Sequence, residues 1–114
     1  MIQYKTINQI GSGVYKSRGS KFYSFVHPIS DFAEYRHLIS IYKNRYIDSC
    51  HVCSAYRLYV DSRIDEQGLD DGEPRGSAGK PILNQIKSHS LVNVGAFVVR
   101  IFGGVQLGIP GLIE

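Results

Sequence analysis

Between positions 70 and 83 the chain reads DDGEPRGSAGKPIL. Asp70, Asp71, Glu73, Arg75 and Lys80 crowd together there with Gly72, Gly76 and Gly79, and the segment runs straight into Ile82 and Leu83. Three chemistries suit such a mixture. Gly79-Lys80 looks like the end of a phosphate-cradling Walker loop, but Pro74 stands where its first glycine belongs and Pro81 replaces the hydroxyl residue that would hold magnesium. Nucleotide hydrolysis through such a loop is therefore excluded. A weaker anion site remains open, in which Gly76 and Gly79 let backbone amides at a helix start approach a ligand while Arg75 and Lys80 add positive charge. Third, Asp70, Asp71 and Glu73 could bind magnesium or share a proton, given a pocket and a defined spacing. The simpler reading, which we adopt, is an acidic turn whose charges are balanced by Arg75 and Lys80.

Other residues bear on the same segment. Arg100 interrupts the apolar run VNVGAFVVRIF, and a charge in such a strand must reach a sheet edge or find an acid, with Asp71 and Glu73 as the obvious partners. Gly103 and Gly104 follow that run in GGVQLGIPG, which does not match a dinucleotide fingerprint; a Gly-Gly there permits positive φ or close backbone packing. Cys50 and Cys53 form CHVC without a second ligand pair. In strand-like surroundings an offset of three points the thiols to opposite faces, so no metal site and no cofactor is expected.

These residues need elements to hold them. YKTINQI, GSG, VYKSRG and SKFYSFVHPI read as two or three antiparallel strands joined by tight turns. In SDFAEYRHLISIYKNRY, Phe32, Tyr35, Leu38, Ile39, Tyr42 and Tyr46 recur at helical spacing. Asp31 and Glu34 make a capping-box pattern, and Ile29 is placed to staple onto Tyr35. The tyrosines suit a core stripe better than a base-stacking platform. HVCSAYRLYV reads as an interior strand and DSRIDEQGLDDGEPRG as a long polar loop. Ser77 is expected to cap a second helix that buries Ile82, Leu83 and Ile86 and tolerates Pro81 in its first turn. VNVGAFVVRIF is then a central strand. This order predicts an α+β fold, a two-layer sandwich with the sheet on one side and the helices on the other.

With 114 residues and 43% hydrophobic content, the chain suits one domain spanning 1–114. The formal charge of +3 comes from 13 basic and 10 acidic residues spread along the chain, a mild preference for anionic partners without a basic block. No apolar run approaches the roughly 20 residues of a membrane-spanning helix, and MIQYKTINQI lacks the layout of a signal peptide, so a cytoplasmic protein without a membrane partner is expected.

DDGEPRGSAGKPIL followed by VVRIFGGVQLGIPGL resembles the two hallmark segments of the IMPACT family, the YigZ-type proteins, whose usual forms are close to DDGEPxGTAGxPIL and VVRYFGGxxLGxGGLxRAY. Weaker likeness runs through SKF, the first helix and CHVCSAYRL, so that it covers about residues 13 to 114. Ser77 stands for the common Thr, Ile101 for an aromatic residue, Val52 for a histidine, and Ile109-Pro110 replaces a less constrained pair. The family usually continues into a helix beyond the position of Glu114, followed in bacterial members by a small ferredoxin-like domain; the chain as read lacks both. The resemblance implies a ribosomal protein S5 domain 2-like fold, similar to domain IV of elongation factor G. It also implies a role in translation: eukaryotic relatives interfere with activation of a kinase that phosphorylates an initiation factor. The leading expectation is a non-catalytic binding module of translation or stress-response regulation. Its surface would comprise Asp70, Asp71, Glu73, Arg75, Lys80, Arg100, Gly103 and Gly104, and its partner would be a translation-related protein. The alternatives are an RNA- or ribosome-binding domain using Arg75, Lys80 and Arg100, and a small-molecule or phosphate-ester enzyme with Asp71, Glu73 and His51 around a cleft.

Overall fold

A computed structural model describes residues 4–17, 19–46 and 51–101. The elements in chain order are β1 (Gly11–Ser17), β2 (Ser20–Pro28), α1 (Phe32–Arg45), β3 (His51–Val60), β4 (Arg63–Leu69), α2 (Gly79–Ser88) and β5 (Val94–Ile101). They form an α+β fold around one antiparallel sheet of order β1-β2-β5-β3-β4. β5, the most apolar strand, occupies the centre as expected.

Side-chain alternation along the strands shows where the helices sit. Phe97 and Val99 of β5, with Val52, Tyr56 and Leu58 of β3, pack with Tyr35 and Tyr42 of α1. Their strand neighbours Val94, Ala96 and Ala55 pack instead with Ile86 of α2, and Ile82 and Leu83 lean on the same cluster. Because successive strand residues point to opposite faces, α1 and α2 cover opposite sides of the sheet. The expected two-layer arrangement, with both helices on one side, is thus corrected to α1, sheet, α2. An amphipathic stripe says that a helix buries a face; it carries no information about which side of a sheet receives it.

The same placement fixes the hands of the crossovers. β2 and β3 are parallel, joined through α1 across β5; β4 and β5 are parallel, joined through α2 across β3 in the opposite lateral sense. Two such connections on one face would share a hand, so on opposite faces their hands differ. One of the two is left-handed, against the strong general preference for right-handed crossovers.

Locally, α1 starts as its sequence suggests. Asp31 accepts a hydrogen bond from the Glu34 amide at 2.8 Å, and Glu34 accepts from the Ser30 amide at 2.8 Å, one residue before the usual reciprocal bond. Ile29 joins Tyr35 in the core. Tyr35 and Tyr42 are buried, Leu38, Ile39 and Tyr46 are half-buried, and Phe32 is exposed, which places the tyrosine stripe largely in the core.

Two expectations fail in the middle of the chain. Residues 63–69, read as loop, form edge strand β4, whose RIDEQGL alternates exposed and half-buried positions. Of its half-buried positions Ile64, Glu66 and Gly68, only Ile64 is apolar, while Glu66 meets Arg57 Nε at 2.9 Å and Lys87 Nζ at 3.2 Å, so the hydrophobic period that would reveal a strand is missing. At the other end of the chain, YKTINQI contributes only an isolated bridge between Lys5 and Leu91, while GSG, read as a separator, belongs to β1.

Candidate functional site

The 70–80 loop gathers the ends of several elements at one end of the sheet. Arg100 lies opposite His51 in the β3–β5 register and opposite Phe22 in the β2–β5 register. The loop folds over that end, and each of its carboxylates is occupied. Asp70 Oδ1 accepts from the amides of Ala78 (3.1 Å) and Gly79 (2.7 Å), and its Oδ2 accepts from the amide of Gly76 (2.9 Å). Asp71 Oδ1 meets Lys43 Nζ at 3.0 Å, and Oδ2 accepts from the Val52 amide at 2.8 Å. Glu73 receives Arg100 Nη1 on both oxygens, at 3.1 and 3.0 Å, with His51 Nε2 3.7 Å away.

Three sequence expectations change accordingly. Ser77 does not cap α2: the cap position falls on Ala78, and Ser77 Oγ donates to the Pro74 carbonyl. Asp70 takes over from a distance, so the helix-start amides nominated for an external anion already hold an internal carboxylate. The direct ion pairs expected of Arg75 and Lys80 fall instead to Lys43 and Arg100, with Arg75 acting on Asp70 only at longer range. Arg75 and Lys80 are exposed and make no ion pair among the described residues. The expected tie between Arg100 and the loop is present, with Glu73 as the partner rather than Asp71. Gly103 and Gly104 lie outside the described residues.

Backbone geometry explains the glycine at 72. Its φ is +92°, and a Cβ there would come within 2.8 Å of the His51 ring, so both conformation and space demand glycine. Asp71, beside it, also has positive φ, which aspartate tolerates better than most residues.

The electrostatics follow the contacts. The amides of Gly76 and Gly79, assisted by Ala78 and the charge of Arg75, hold the Asp70 carboxyl below the usual aspartate range. Cys53, a buried free cysteine, donates its thiol to the Asp70 carbonyl at 3.2 Å. Burial first, then the charges of Glu73, Asp71 and Asp70, push its pKa up to about 12, leaving a protonated thiol with little nucleophilic character at neutral pH.

Beside the loop, on the α2 side of the sheet, lies a cleft of about 430 Å³. Phe22, Val98 and Ile82 supply apolar wall, Ser20 and Ser77 supply hydroxyls, and the Glu73–Arg100 pair borders it, with the Arg100 guanidinium 5.8 Å from the Phe22 ring centre. Of the residues proposed for an enzyme, Glu73 reaches this cleft and His51 stands behind Glu73, whereas Asp71 is directed at Lys43 and β3. No group of three or more His, Cys, Asp or Glu residues with metal-holding geometry occurs among the described residues. Sequence reasoning missed Lys43, Ser20 and Phe22. Only the sheet register and the return of α1 bring them here, and neither leaves a local signal.

Comparison with known proteins agrees with this architecture. Residues 18–114 match the Impact N-terminal domain. The chain is 34% identical over 111 residues to the IMPACT family member YvyE of Bacillus subtilis, covering 97% of this chain and 51% of that protein. It is 40% identical over 68 residues to the IMPACT family member YigZ of Escherichia coli, covering 59% of this chain and 33% of that protein. The chain thus spans about half, or less, of the length of these relatives. A solved structure of a hypothetical protein superposes with a TM-score of 0.78 at 28% identity, over 92% of this chain and 52% of that one. The two-domain translational regulator Yih1 superposes with a TM-score of 0.64 at 25% identity, over 90% of this chain and 41% of that one. With the domain match spanning most of its length and a relative above 30% identity along nearly all of it, the chain belongs to the IMPACT family.

Proposed function

We propose that this chain is a non-catalytic binding module in the regulation of translation or the stress response, acting through the face built by residues 70–80. Family membership and the similarity to a translational regulator support the translation link. The observation that carries the choice of surface is the division of labour within the loop. Its carboxylates are all turned to internal amides and cations, which leaves Arg75 and Lys80 as the outward charged groups of an ordered platform. Carboxylates held this way serve poorly as acid, base or metal ligand, because each would first have to break the contacts that order the loop.

The test is a reconstituted translation reaction with the purified chain added up to tens of micromolar, beside an Arg75→Ala/Lys80→Ala variant checked for folding by circular dichroism. The reading expects a dose-dependent change in protein synthesis that the double variant loses. No change from the wild-type chain sinks it. Co-sedimentation with ribosomes at about 50 and 200 mM salt separates the RNA alternative, since phosphate contacts would weaken binding steeply across that interval.

A further inference from the structure

We propose that two copies of this chain associate through β1, edge to edge and antiparallel, to make one continuous ten-stranded sheet. Among the described residues β1 is the terminal strand of the sheet and pairs only with β2. Its sequence GSGVYKS carries little of what usually protects an edge: no proline and a single charge, Lys16. Val14 is 62% and Tyr15 66% exposed, so side chains suited to a sheet interior stand in water there. β4, the opposite edge, contrasts with it, carrying Arg63, Asp65 and Glu66 in RIDEQGL.

The register determines which groups are available. Ser17 pairs with Ser20 across a two-residue connection. In such a hairpin the closing pair exchanges backbone hydrogen bonds, and alternation then turns the amides and carbonyls of Gly13 and Tyr15 toward β2 and those of Ser12, Val14 and Lys16 outward. A second β1 centred on Val14 meets these outward groups with its own: Val14 faces Val14, and Ser12 faces Lys16 in both directions.

The side chains suit that arrangement. Tyr15 falls opposite Gly13 of the other copy, where a ring covers a glycine that offers no side chain of its own. Lys16 faces a serine, and the two copies of Lys16 are four residues apart along the strands, about 13 Å, beyond the screening length at physiological salt. Centring the pair on Lys16 would set two like charges directly opposite each other. The interface is two-fold symmetric, as a closed dimer requires.

Strand pairing alone buries less than a standard interface, so a weak dimer is expected, with Kd on the order of 10–100 µM. Sedimentation equilibrium over a concentration series tests it, with the wild-type chain beside Val14→Pro and Val14→Lys. Proline removes one outward amide without touching the β1–β2 ladder, and Gly13 before it accommodates the ring. Lysine sets two positive charges across the two-fold axis. The proposal expects self-association in the wild type and a Kd raised at least about tenfold in each variant that circular dichroism shows folded. Should Val14→Pro fail to fold, Val14→Lys decides. A wild-type chain that stays monomeric to about 500 µM overturns the proposal, as does a folded variant that dimerises as tightly as wild type.

Discussion

Asp70 performs from outside the helix the task that a serine or aspartate at the first position performs locally. It collects the amides of Gly76, Ala78 and Gly79 onto one carboxylate and so anchors α2 to the end of β4. Only the ionised carboxylate accepts all of these bonds well, and its folded-state pKa is therefore depressed. By linkage, its contribution to stability is fully present above the ordinary aspartate pKa and is lost as pH falls through the lower folded value. Asp70→Asn should lower the melting temperature at neutral pH and remove the part of the acid-induced loss that falls below about pH 4, read by thermal melts over a pH series. Glu73 and Arg100 allow a second measurement at this scale. The pair is half-buried and its hydrogen bonds join two charged groups, so a double-mutant cycle with Glu73→Gln and Arg100→Gln should return a coupling of about 1–3 kcal/mol in urea unfolding. A coupling near zero would mean the contact is screened by water and does not brace the loop.

α2 shows at the scale of an element why local preference does not decide this structure. Its first residue, Gly79, lies on the backbone of β4: a Cβ there would come within 2.3 Å of the Leu69 nitrogen, and a Cβ on Gly68 within 2.5 Å of Gly79 carbonyl atoms. Alanine is the better helix former by about 1 kcal/mol. Gly79→Ala should nevertheless destabilise the chain by roughly 2–4 kcal/mol, because backbone cannot move aside as a side-chain tip can; a urea midpoint at or above wild type would refute the close contact. The contact between β2 and α1 carries a different liability. His27 is buried among Tyr42 and Phe97 and shares a hydrogen bond with the Tyr42 hydroxyl. Burial, then the charge of Arg45, lowers its pKa. The folded state therefore prefers the neutral ring, and stability should fall as pH drops from about 7 into the range below the ordinary histidine value, a slope that His27→Gln should flatten. What the sequence disclosed about these elements follows the range of the interactions. The α1 cap and stripe are written within a few residues, as is the apolar run of β5, and both were legible. The α2 cap spans the 70–79 interval, the Lys43–Asp71 contact joins α1 to the loop, and β4 has one apolar residue among its half-buried positions; none leaves a local trace. The composition of residues 70–83 did mark the loop, and the lone charge in an apolar strand marked its tie to Arg100, but neither could show which way the carboxylates turn.

Across the whole molecule, stability should be graded along the sheet, because cover and pairing are. β5 is flanked by β2 and β3, with Phe97 and Val99 buried under α1 and Val94 and Ala96 under α2. β3 shares this position: it lies between β5 and β4, with Val52, Tyr56 and Leu58 under α1 and Ala55 under α2. Opening β5 requires separating both crossovers, one of them left-handed, so its amides have no route to water short of global unfolding. β1 has one paired edge and exposed side chains, and it can fray while the rest stays closed. In native-state hydrogen exchange, the amides of Ala96 to Val99, with those of the buried part of β3, should be the slowest and should report the full unfolding free energy. The outward amides of Ser12, Val14 and Lys16 should be among the fastest in dilute solution. Concentration separates the two edges of the molecule. If β1 pairs with a second copy, the Val14 amide slows as protein concentration rises through the dimer Kd, while the edge amides of β4 keep their rates. Equal, concentration-independent rates at both edges would leave β1 exposed as an ordinary rim and would locate the molecule's interactions at the loop end alone.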